Sequence, residues 1–270
     1  MSVKNLLWAF TAALFVALAI CTFSGSEGAK TTVGWLFVVA NAGGAGAAWY
    51  LSRVSDGLTR DYSRLLAIGL LALACGYASY RIFPPVDGPA FGDALWCAAY
   101  AVFFAAGVKG TMVLADLTFR DGSRDVWIAI GVGFAVTLLM HFLVGLPALS
   151  DNATDNQVAT YQGGLLMMLI GMSMGALYIM LAWRSAGGQY ASMLILTMAF
   201  VLLAAIADFV YGIVHPAIAS GISPASTLTP QADLSDWIRM ASQAMIFVLV
   251  IRQLNDIAKQ DSAEAQPAAA

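Results

Sequence analysis

The stretch LLAIGLLALACGYASY (65–80), followed by a Pro- and Gly-rich connection and then DALWCAAYAVFFAAGV (93–108), decides the fold of this chain. Each run approaches the roughly 20 apolar residues that a helix needs to cross the hydrocarbon core of a bilayer. Pro, Gly and Asp crowd the connection because these residues favour turns and disfavour helix interiors. The two runs therefore predict a pair of transmembrane helices joined by a short loop.

Six further segments have the same character, so the sequence predicts an all-α polytopic membrane bundle of about eight transmembrane helices. The predicted spans are 5–24, 33–52, 64–83, 93–114, 126–146, 161–183, 191–214 and 235–254. Composition agrees, because 60% of the 270 residues are apolar and 11% are charged, whereas soluble domains carry about 25% charged residues. We expect residues 1–258 to form one membrane domain and the polar residues 259–270 to form a disordered cytoplasmic tail.

The distribution of Lys and Arg predicts the orientation, because cytoplasmic loops retain positive charge. With the N-terminus inside, only Lys30, Arg81 and Arg239 flank the predicted outer ends of the helices. The residues at the predicted inner ends are Lys4, Arg53, Arg60, Arg64, Lys109, Arg120, Arg124, Arg184, Arg252 and Lys259. This asymmetry predicts a multi-pass protein of the bacterial inner (cytoplasmic) membrane with both termini in the cytoplasm.

The two halves of the chain resemble each other, which suggests a parallel internal repeat of four plus four helices over 1–120 and 121–258. The matching stretches are LLALACGYASY (70–80) with VLLAAIADFVY (201–211), and DALWCAAYAVFFAAGV (93–108) with DWIRMASQAMIFVLV (236–250). Tyr80 matches Tyr211, and Trp96 matches Trp237. Parallel repeats occur in transporters, where the binding site lies near the repeat interface. The alternative is that lipid-facing composition makes all membrane helices look alike.

Small residues are concentrated in ANAGGAGAA (40–48) and GMSMGA (171–176), in the second and sixth predicted helices. In lipid, helices associate through close backbone packing, and small residues permit that approach. The pattern predicts close packing within the molecule. A homodimer interface is the alternative.

Four polar side chains are predicted to lie at the outer ends of helices in the second half: Asp208, Arg239, His141 and Tyr211. Tyr211 follows Asp208 by three residues and therefore shares its helix face. Ionisable groups within a membrane are costly and are functional candidates by default. Two interpretations stay open: a structural Asp208–Arg239 ion pair with interfacial aromatic residues, or an outward-opening pocket that binds a ligand or a proton.

Motifs for enzymatic chemistry are absent from the sequence. It contains no Ser/His/Asp arrangement, no CxxC, no HExxH and no P-loop. The three cysteines, Cys21, Cys75 and Cys97, lie in apolar segments without metal-type spacing. The net charge of −3 and the lack of a basic patch argue against a nucleic-acid partner. We therefore expect no cofactor and no metal, and a non-enzymatic role.

The repeated unit is an apolar helix ending in Tyr, an external loop, and then Asp and Trp at the start of a further helix. It resembles the multi-helix membrane regions that precede diguanylate cyclase or phosphodiesterase modules in bacterial signalling proteins. The stretches that carry the resemblance cover less than half of the chain: LLAIGLLALACGYASY with GDALWCAAYAVFFAAGV, and AFVLLAAIADFVYG with LSDWIRMASQAMIFVLVIRQL. The resemblance implies a region that senses an external or in-membrane cue. No GGDEF or EAL sequence follows here, so we expect output to need a separate partner protein.

The sequence thus favours a membrane sensor or accessory protein that binds a small molecule, lipid or proton at an outward-facing pocket. It would couple to a signalling partner through the predicted cytoplasmic loops 53–63 and 115–125. Besides that partner, membrane lipids and a second copy of the chain are the expected neighbours. The alternative function is a small-molecule transporter built on the two four-helix repeats.

Overall fold

The computed structural model describes residues 2–24, 28–83, 90–118, 121–145, 155–188, 190–214 and 234–264. These residues form eight α-helices: α1 Val3–Phe23, α2 Ala29–Val54, α3 Gly57–Ile82, α4 Phe91–Thr118, α5 Gly122–Met140, α6 Asp155–Arg184, α7 Ala191–Val214 and α8 Leu234–Glu264. A π-helical turn, His141–Gly145, continues α5. The described residues contain no β-strand, so the all-α prediction is confirmed.

Six of the described helices, α1, α3, α4, α5, α6 and α8, have segments long and apolar enough to cross a membrane, which confirms a multi-pass membrane protein. In α2, the Gly residues and Asn41 of its central turns lower the mean hydropathy. In α7, the described apolar segment Ala191–Ala207 is shorter. By contrast, α8 is longer than its predicted span and continues to Glu264, into the predicted tail of residues 259–270. Residues 259–264 are mostly good helix formers, so the helix can continue beyond its apolar part.

Helix ends are fixed by local capping. Ser2 caps α1, since its side chain accepts a hydrogen bond from the Asn5 amide at 3.3 Å. Asp121 caps α5 by accepting from the amides of Ser123 at 3.0 Å and Arg124 at 3.4 Å. The turn into α3 passes through Gly57, whose φ of +55° lies in the left-handed region that glycine adopts without strain. Short turns of this kind make consecutive helices antiparallel neighbours.

The principal packed helix pairs follow a regular scheme. In the first half they are α1–α2, α2–α3 and α3–α4, and in the second half α5–α6, α6–α7 and α7–α8. Between the halves, α4 packs on α6 as α8 packs on α2, and α5 packs on α4 as α1 packs on α8. Each pair therefore has a counterpart four helices along the chain.

The first and last helices are joined by side-chain hydrogen bonds. Lys4 Nζ donates to Asn255 Oδ1 at 2.8 Å at the predicted inner end. Near the other end, Trp237 Nε1 donates to Thr22 Oγ1 at 3.1 Å. The last helix, α8, thus packs against both α1 and α2.

The small-residue run of α2 packs closely against its neighbours. A Cβ added at Gly43 would lie 2.6 Å from the ring of Phe10 on α1. One added at Gly44 would lie 3.4 Å from Leu70 on α3 and 3.6 Å from Ile246 on α8. Small residues here serve packing within the molecule, as the sequence predicts.

Candidate functional site

Four aromatic side chains meet at the predicted outer end, between α2, α3 and α4. Phe37 stacks on Tyr77 with ring centroids 5.3 Å apart, and Tyr77 lies 5.1 Å from Trp96. The ring centroid of Tyr80 lies 5.4 Å from that of Trp96. These separations are typical of interacting rings. We call Phe37, Tyr77, Tyr80 and Trp96 the aromatic cluster.

Two glycines allow the rings to approach the helix backbones. A Cβ added at Gly76 would lie 2.3 Å from Cδ1 of Trp96, and one added at Gly92 would lie 2.6 Å from Cε2 of Tyr80. The two glycines also face each other, because a Cβ at Gly92 would lie 3.1 Å from the Gly76 carbonyl oxygen. Only a residue without a side chain fits at this crossing of α3 and α4.

Two arginines reach the same turn of α2. The guanidinium carbon of Arg239, on α8, lies 5.8 Å from the centre of the Phe37 ring, within the range of a cation–π interaction. Arg81, on α3, fills the space beside Gly34, where an added Cβ would lie 2.1 Å from its Nε. Gly34 and Phe37 are three residues apart and share a face of α2. Both arginines are half-buried and also make other polar interactions in the protein.

Acidic groups accompany these cations. Asp93 accepts hydrogen bonds from the Tyr80 hydroxyl and from the Ala90 amide at 2.8 Å, so it orders the start of α4. Asp236, in the first turn of α8, is 3% exposed and has polar interactions of its own. The outer end therefore combines two cations, two carboxylates and four rings in a partly buried region, where electrostatic interactions are stronger than in water.

Two buried polar atoms around the aromatic cluster have no hydrogen-bond partner among the described residues: the indole Nε1 of Trp96 and the hydroxyl of Ser79. The indole N–H is a donor only, and a hydroxyl can donate. A buried group left without a partner costs about 1–3 kcal/mol. Each of these two atoms is therefore suited to pair with a hydrogen-bond acceptor.

The four residues singled out from the sequence have different outcomes. Arg239 lies at the site, on Phe37. His141 instead begins the π-helical turn, and its Nδ1 lies 2.6 Å from the Tyr161 hydroxyl of α6. The contacts that the structure gives Arg239 and His141 therefore lie on different helices. The side chains of Asp208 and Tyr211, on α7, lie outside the described residues, so their predicted contact with Arg239 stays a prediction.

The register between α7 and α8 supports that prediction. Ser242 donates to the Phe200 carbonyl at 2.8 Å, and Gln253 donates to the Ser192 hydroxyl at 3.1 Å, so the two helices are antiparallel. Continued outward, this register brings the backbone of residue 208 to the level of the first turn of α8. Side chains on a helix lean toward its N-terminus, so Arg239 extends toward the same level.

Several residues of the site are not found by sequence reasoning. Trp96 and Arg81 are residue types that are common at membrane boundaries, and Phe37 and Tyr77 are types that are common on lipid-facing surfaces. The available signal is the run GYASYR (76–81), which places glycine, hydroxyl, aromatic and cationic groups within two helical turns. Depth can be estimated from such a run, but the helix that it faces cannot.

The predicted inner end carries a second polar region. Arg184, on α6, pairs with the buried carboxylate of Asp125 on α5, and Lys109 Nζ lies 2.5 Å from Asp61 on α3. A cavity of about 180 Å³ lies beside the first pair, lined by Thr111, Leu114, Ala115, Asp125, Leu177, Met180, Leu181, Trp183 and Arg184. Within the described ranges, no group of His, Cys, Asp and Glu side chains is arranged to hold a metal ion.

No protein-family model, curated protein or solved structure matches this chain. The resemblance to membrane sensory regions therefore stays a prediction from the sequence. The function has to be inferred from contacts within the chain itself.

Proposed function

We propose that this chain is a non-enzymatic sensor or accessory protein of the bacterial cytoplasmic membrane that binds a small anionic ligand at its outer end. The observation that carries the proposal is the convergence of Arg81 and Arg239 on one turn of α2, beside the aromatic cluster. Guanidinium groups bind anions through several N–H donors, and such charge-assisted hydrogen bonds are stronger in a partly buried region than in water. The unpartnered indole N–H of Trp96 adds a donor for the same ligand.

We further propose that all eight helices span the bilayer, with both termini in the cytoplasm. The 26 residues of α2 rise about 39 Å, which exceeds the roughly 30 Å of the hydrocarbon core. Because α2 lies between the spans α1 and α3 and is joined to each by a short connection, it has to return the chain across the membrane. The 24 residues of α7 rise about 36 Å, which also exceeds the thickness of the hydrocarbon core.

Of the residues proposed from the sequence, Arg239 and Asp208 would form the ligand site together with Arg81. This proposal is supported by the α7–α8 register, which, continued outward, would bring residue 208 near the level of the Arg239 side chain, with Tyr211 one turn further out. His141 would act separately, through its hydrogen bond with Tyr161.

Coupling to the cytoplasm would follow the helices that form the site. α2 and α3 both run from the aromatic cluster to their connection at the predicted inner end, within the loop 53–63. α4 carries Trp96 near one end and Lys109, which pairs with Asp61, toward the other. A ligand that changes how these rigid helices pack would shift their inner ends, where a signalling partner would bind the segments 53–63 and 115–125. Most of these two segments, predicted as loops, belong to helix ends: α2 ends at Val54, α3 begins at Gly57, α4 ends at Thr118 and α5 begins at Gly122.

The test is ligand binding to the full chain in lipid nanodiscs, followed by tryptophan fluorescence. The probes are acetate, butyrate, 4-hydroxybutyrate, 4-aminobutyrate and sulfate. We expect saturable binding of at least one probe, and a loss of affinity of about ten-fold or more in Arg81→Gln and in Arg239→Gln. Arg252→Gln, at the predicted inner end, is the matched control and should bind normally. A Trp96→Phe variant assigns the signal to the site.

The proposal would be refuted by the absence of saturable binding of any probe, or by equal loss of affinity in Arg252→Gln and in the two site variants. Binding with no dependence on either site arginine would likewise place the ligand elsewhere.

A second candidate function, transport of a small molecule, is favoured by the pairing scheme of the helices. Every principal helix pair has a counterpart four helices later, as expected for parallel repeats over 1–120 and 121–258. Flux of a labelled probe into proteoliposomes separates the two functions, because a sensor moves nothing. Uptake that is abolished by Arg239→Gln would favour the transporter.

A further inference from the structure

The polar groups of the outer site continue one helical turn deeper, at two carboxamides buried in the membrane part of the bundle. Asn41, on α2, is fully buried, and its Nδ2 donates to the Phe37 carbonyl at 2.8 Å. Gln243, on α8, is 3% exposed. The Oδ1 of Asn41 and the Oε1 of Gln243 are both buried without a hydrogen-bond partner among the described residues.

These two carboxamides lie at the same level of the α2–α8 interface. α2 and α8 run in the same direction, and Gly44 lies opposite Ile246, with 3.6 Å between an added Cβ and Cγ2 of Ile246. Asn41 precedes Gly44 by three residues, and Gln243 precedes Ile246 by three. Residues three apart share a helix face, so the two side chains face each other across the interface.

The site lies directly below Arg239. Gln243 follows Arg239 by four residues and therefore shares its face of α8. On the facing helix, the ring of Phe37 contacts Arg239, and the carbonyl of Phe37 accepts from Asn41. The outward cations and the inner carboxamides thus form one column, separated by about 5.4 Å, the pitch of one helical turn.

The column changes from hydrogen-bond donors at its outer end to hydrogen-bond acceptors at its inner end. The outer part offers the guanidinium group of Arg239, whereas the inner part offers two oxygens without a hydrogen-bond partner among the described residues. The nitrogen of Asn41 is committed to the Phe37 carbonyl, so its free atom has to be the acceptor. Each of the two oxygens lacks a donor, which the O–H or N–H group of a bound ligand would supply.

We propose that the ligand of the outer site is a small bifunctional molecule, with a carboxylate or similar anion at one end and a hydroxyl or amine about one helical turn away. Arg81 and Arg239 bind the anion, and Asn41 and Gln243 bind the donor. This inference rests on the proposed outward binding site. Because both carboxamides are buried, the donor reaches them only when α8 shifts from α2 at this level. That shift is the movement by which binding would be signalled.

The experiment compares butyrate, 4-hydroxybutyrate and 4-aminobutyrate, which share a carboxylate and differ at the far end. Dissociation constants are measured by tryptophan fluorescence on the full chain in nanodiscs. We expect the two donor-bearing probes to bind at least about ten-fold more tightly than butyrate, because a polar site rejects a ligand that leaves its groups unpaired. In Asn41→Leu and in Gln243→Met, both close to the native volume, this preference should disappear while butyrate still binds.

Gln253→Leu is the matched control, because Gln253 lies on the same helix and bonds Ser192 at the other end. It should keep the full preference. Thermal unfolding without ligand identifies a variant that fails to fold, and either carboxamide variant alone is sufficient for the test.

Equal affinity of native protein for the three probes would overturn this inference and leave the anion site standing. A preference that survives in both carboxamide variants would also overturn it, because neither side chain would then bind the donor. Failure of all probes to bind would refute the proposed function itself.

Discussion

The two ends of the bundle hold charged side chains at a membrane boundary in different ways. At the predicted inner end, carboxylates are matched by bases from other helices, as in Asp125 with Arg184 and Asp61 with Lys109. At the predicted outer end, Arg239 lies on a phenylalanine ring and Arg81 lies beside a glycine. Matched ion pairs fix the relative positions of helices. Arg81 and Arg239 also make other polar interactions, and their end differs by the aromatic cluster and by two buried polar atoms that have no hydrogen-bond partner among the described residues.

The strongest test of this contrast is the pair formed by Asp125 and Arg184. Arg184→Met should leave the buried carboxylate of Asp125 without its cation, which costs about 3–5 kcal/mol for a buried pair. The measurement is the free energy of unfolding in bicelles, with Arg252→Met, whose guanidinium is exposed, as control. Replacing both partners, in Asp125→Leu with Arg184→Met, should recover most of the loss. Equal destabilisation by Arg184→Met and Arg252→Met would show that the pair is solvated.

A second test concerns the tight crossing under the aromatic cluster. Gly76→Ala should destabilise the protein by about 1–3 kcal/mol, because the new Cβ would meet the Trp96 ring at 2.3 Å and force it to move. Ligand affinity at the outer site should fall as well. Gly163→Ala is the matched control, since open space surrounds Gly163 on α6. It should be neutral or stabilise the helix by up to about 1 kcal/mol. Unchanged stability in Gly76→Ala would contradict the described packing.

A smaller effect is expected at the exposed ion pair of the predicted inner end. The side chains of Lys109 and Asp61 are 42% and 32% exposed. Lys109→Met should therefore change the free energy of unfolding by about 1 kcal/mol or less. The difference from native protein should shrink further as salt is raised. A larger loss of unfolding free energy that does not depend on salt would mean that lipid shields this pair from water. The contrast between the two ends would then be weaker.

The smallest effect concerns the cap of α5. Hydrogen bonds from the Ser123 hydroxyl and from the amides of Arg124 and Ser123 lower the pKa of Asp121 below its usual value. A carboxyl whose pKa is lowered on folding stabilises the folded state above its unfolded pKa, and that contribution is lost as pH falls through the folded pKa. Native protein should therefore lose slightly more stability than Asp121→Ala between pH 5 and the acid range, as measured by thermal unfolding. Parallel pH profiles would contradict this cap.

The positions of the described helices along the chain could be predicted from the sequence, whereas the neighbours of each helix could not. Apolar runs and turn residues locate these helices, because hydropathy and turn preference are local properties. His141 and Arg239 were placed at a similar depth, yet their described contacts lie on α6 and α2. Helix surfaces that face lipid and those that face another helix are both apolar. Composition therefore does not distinguish a boundary tryptophan from Trp96, which packs on Gly76.

The contact of α8 with α1 and α2 bears on how the protein is made. A ribosome delivers the first two helices to the bilayer long before the last, and until then Asn41 lacks the helix that buries it. A premature stop before Leu234 would spare seven of the eight described helices, yet would expose this carboxamide to lipid and leave Lys4 without Asn255. We expect such a product to be degraded rather than to accumulate, so that biogenesis is complete only when the final segment has been inserted.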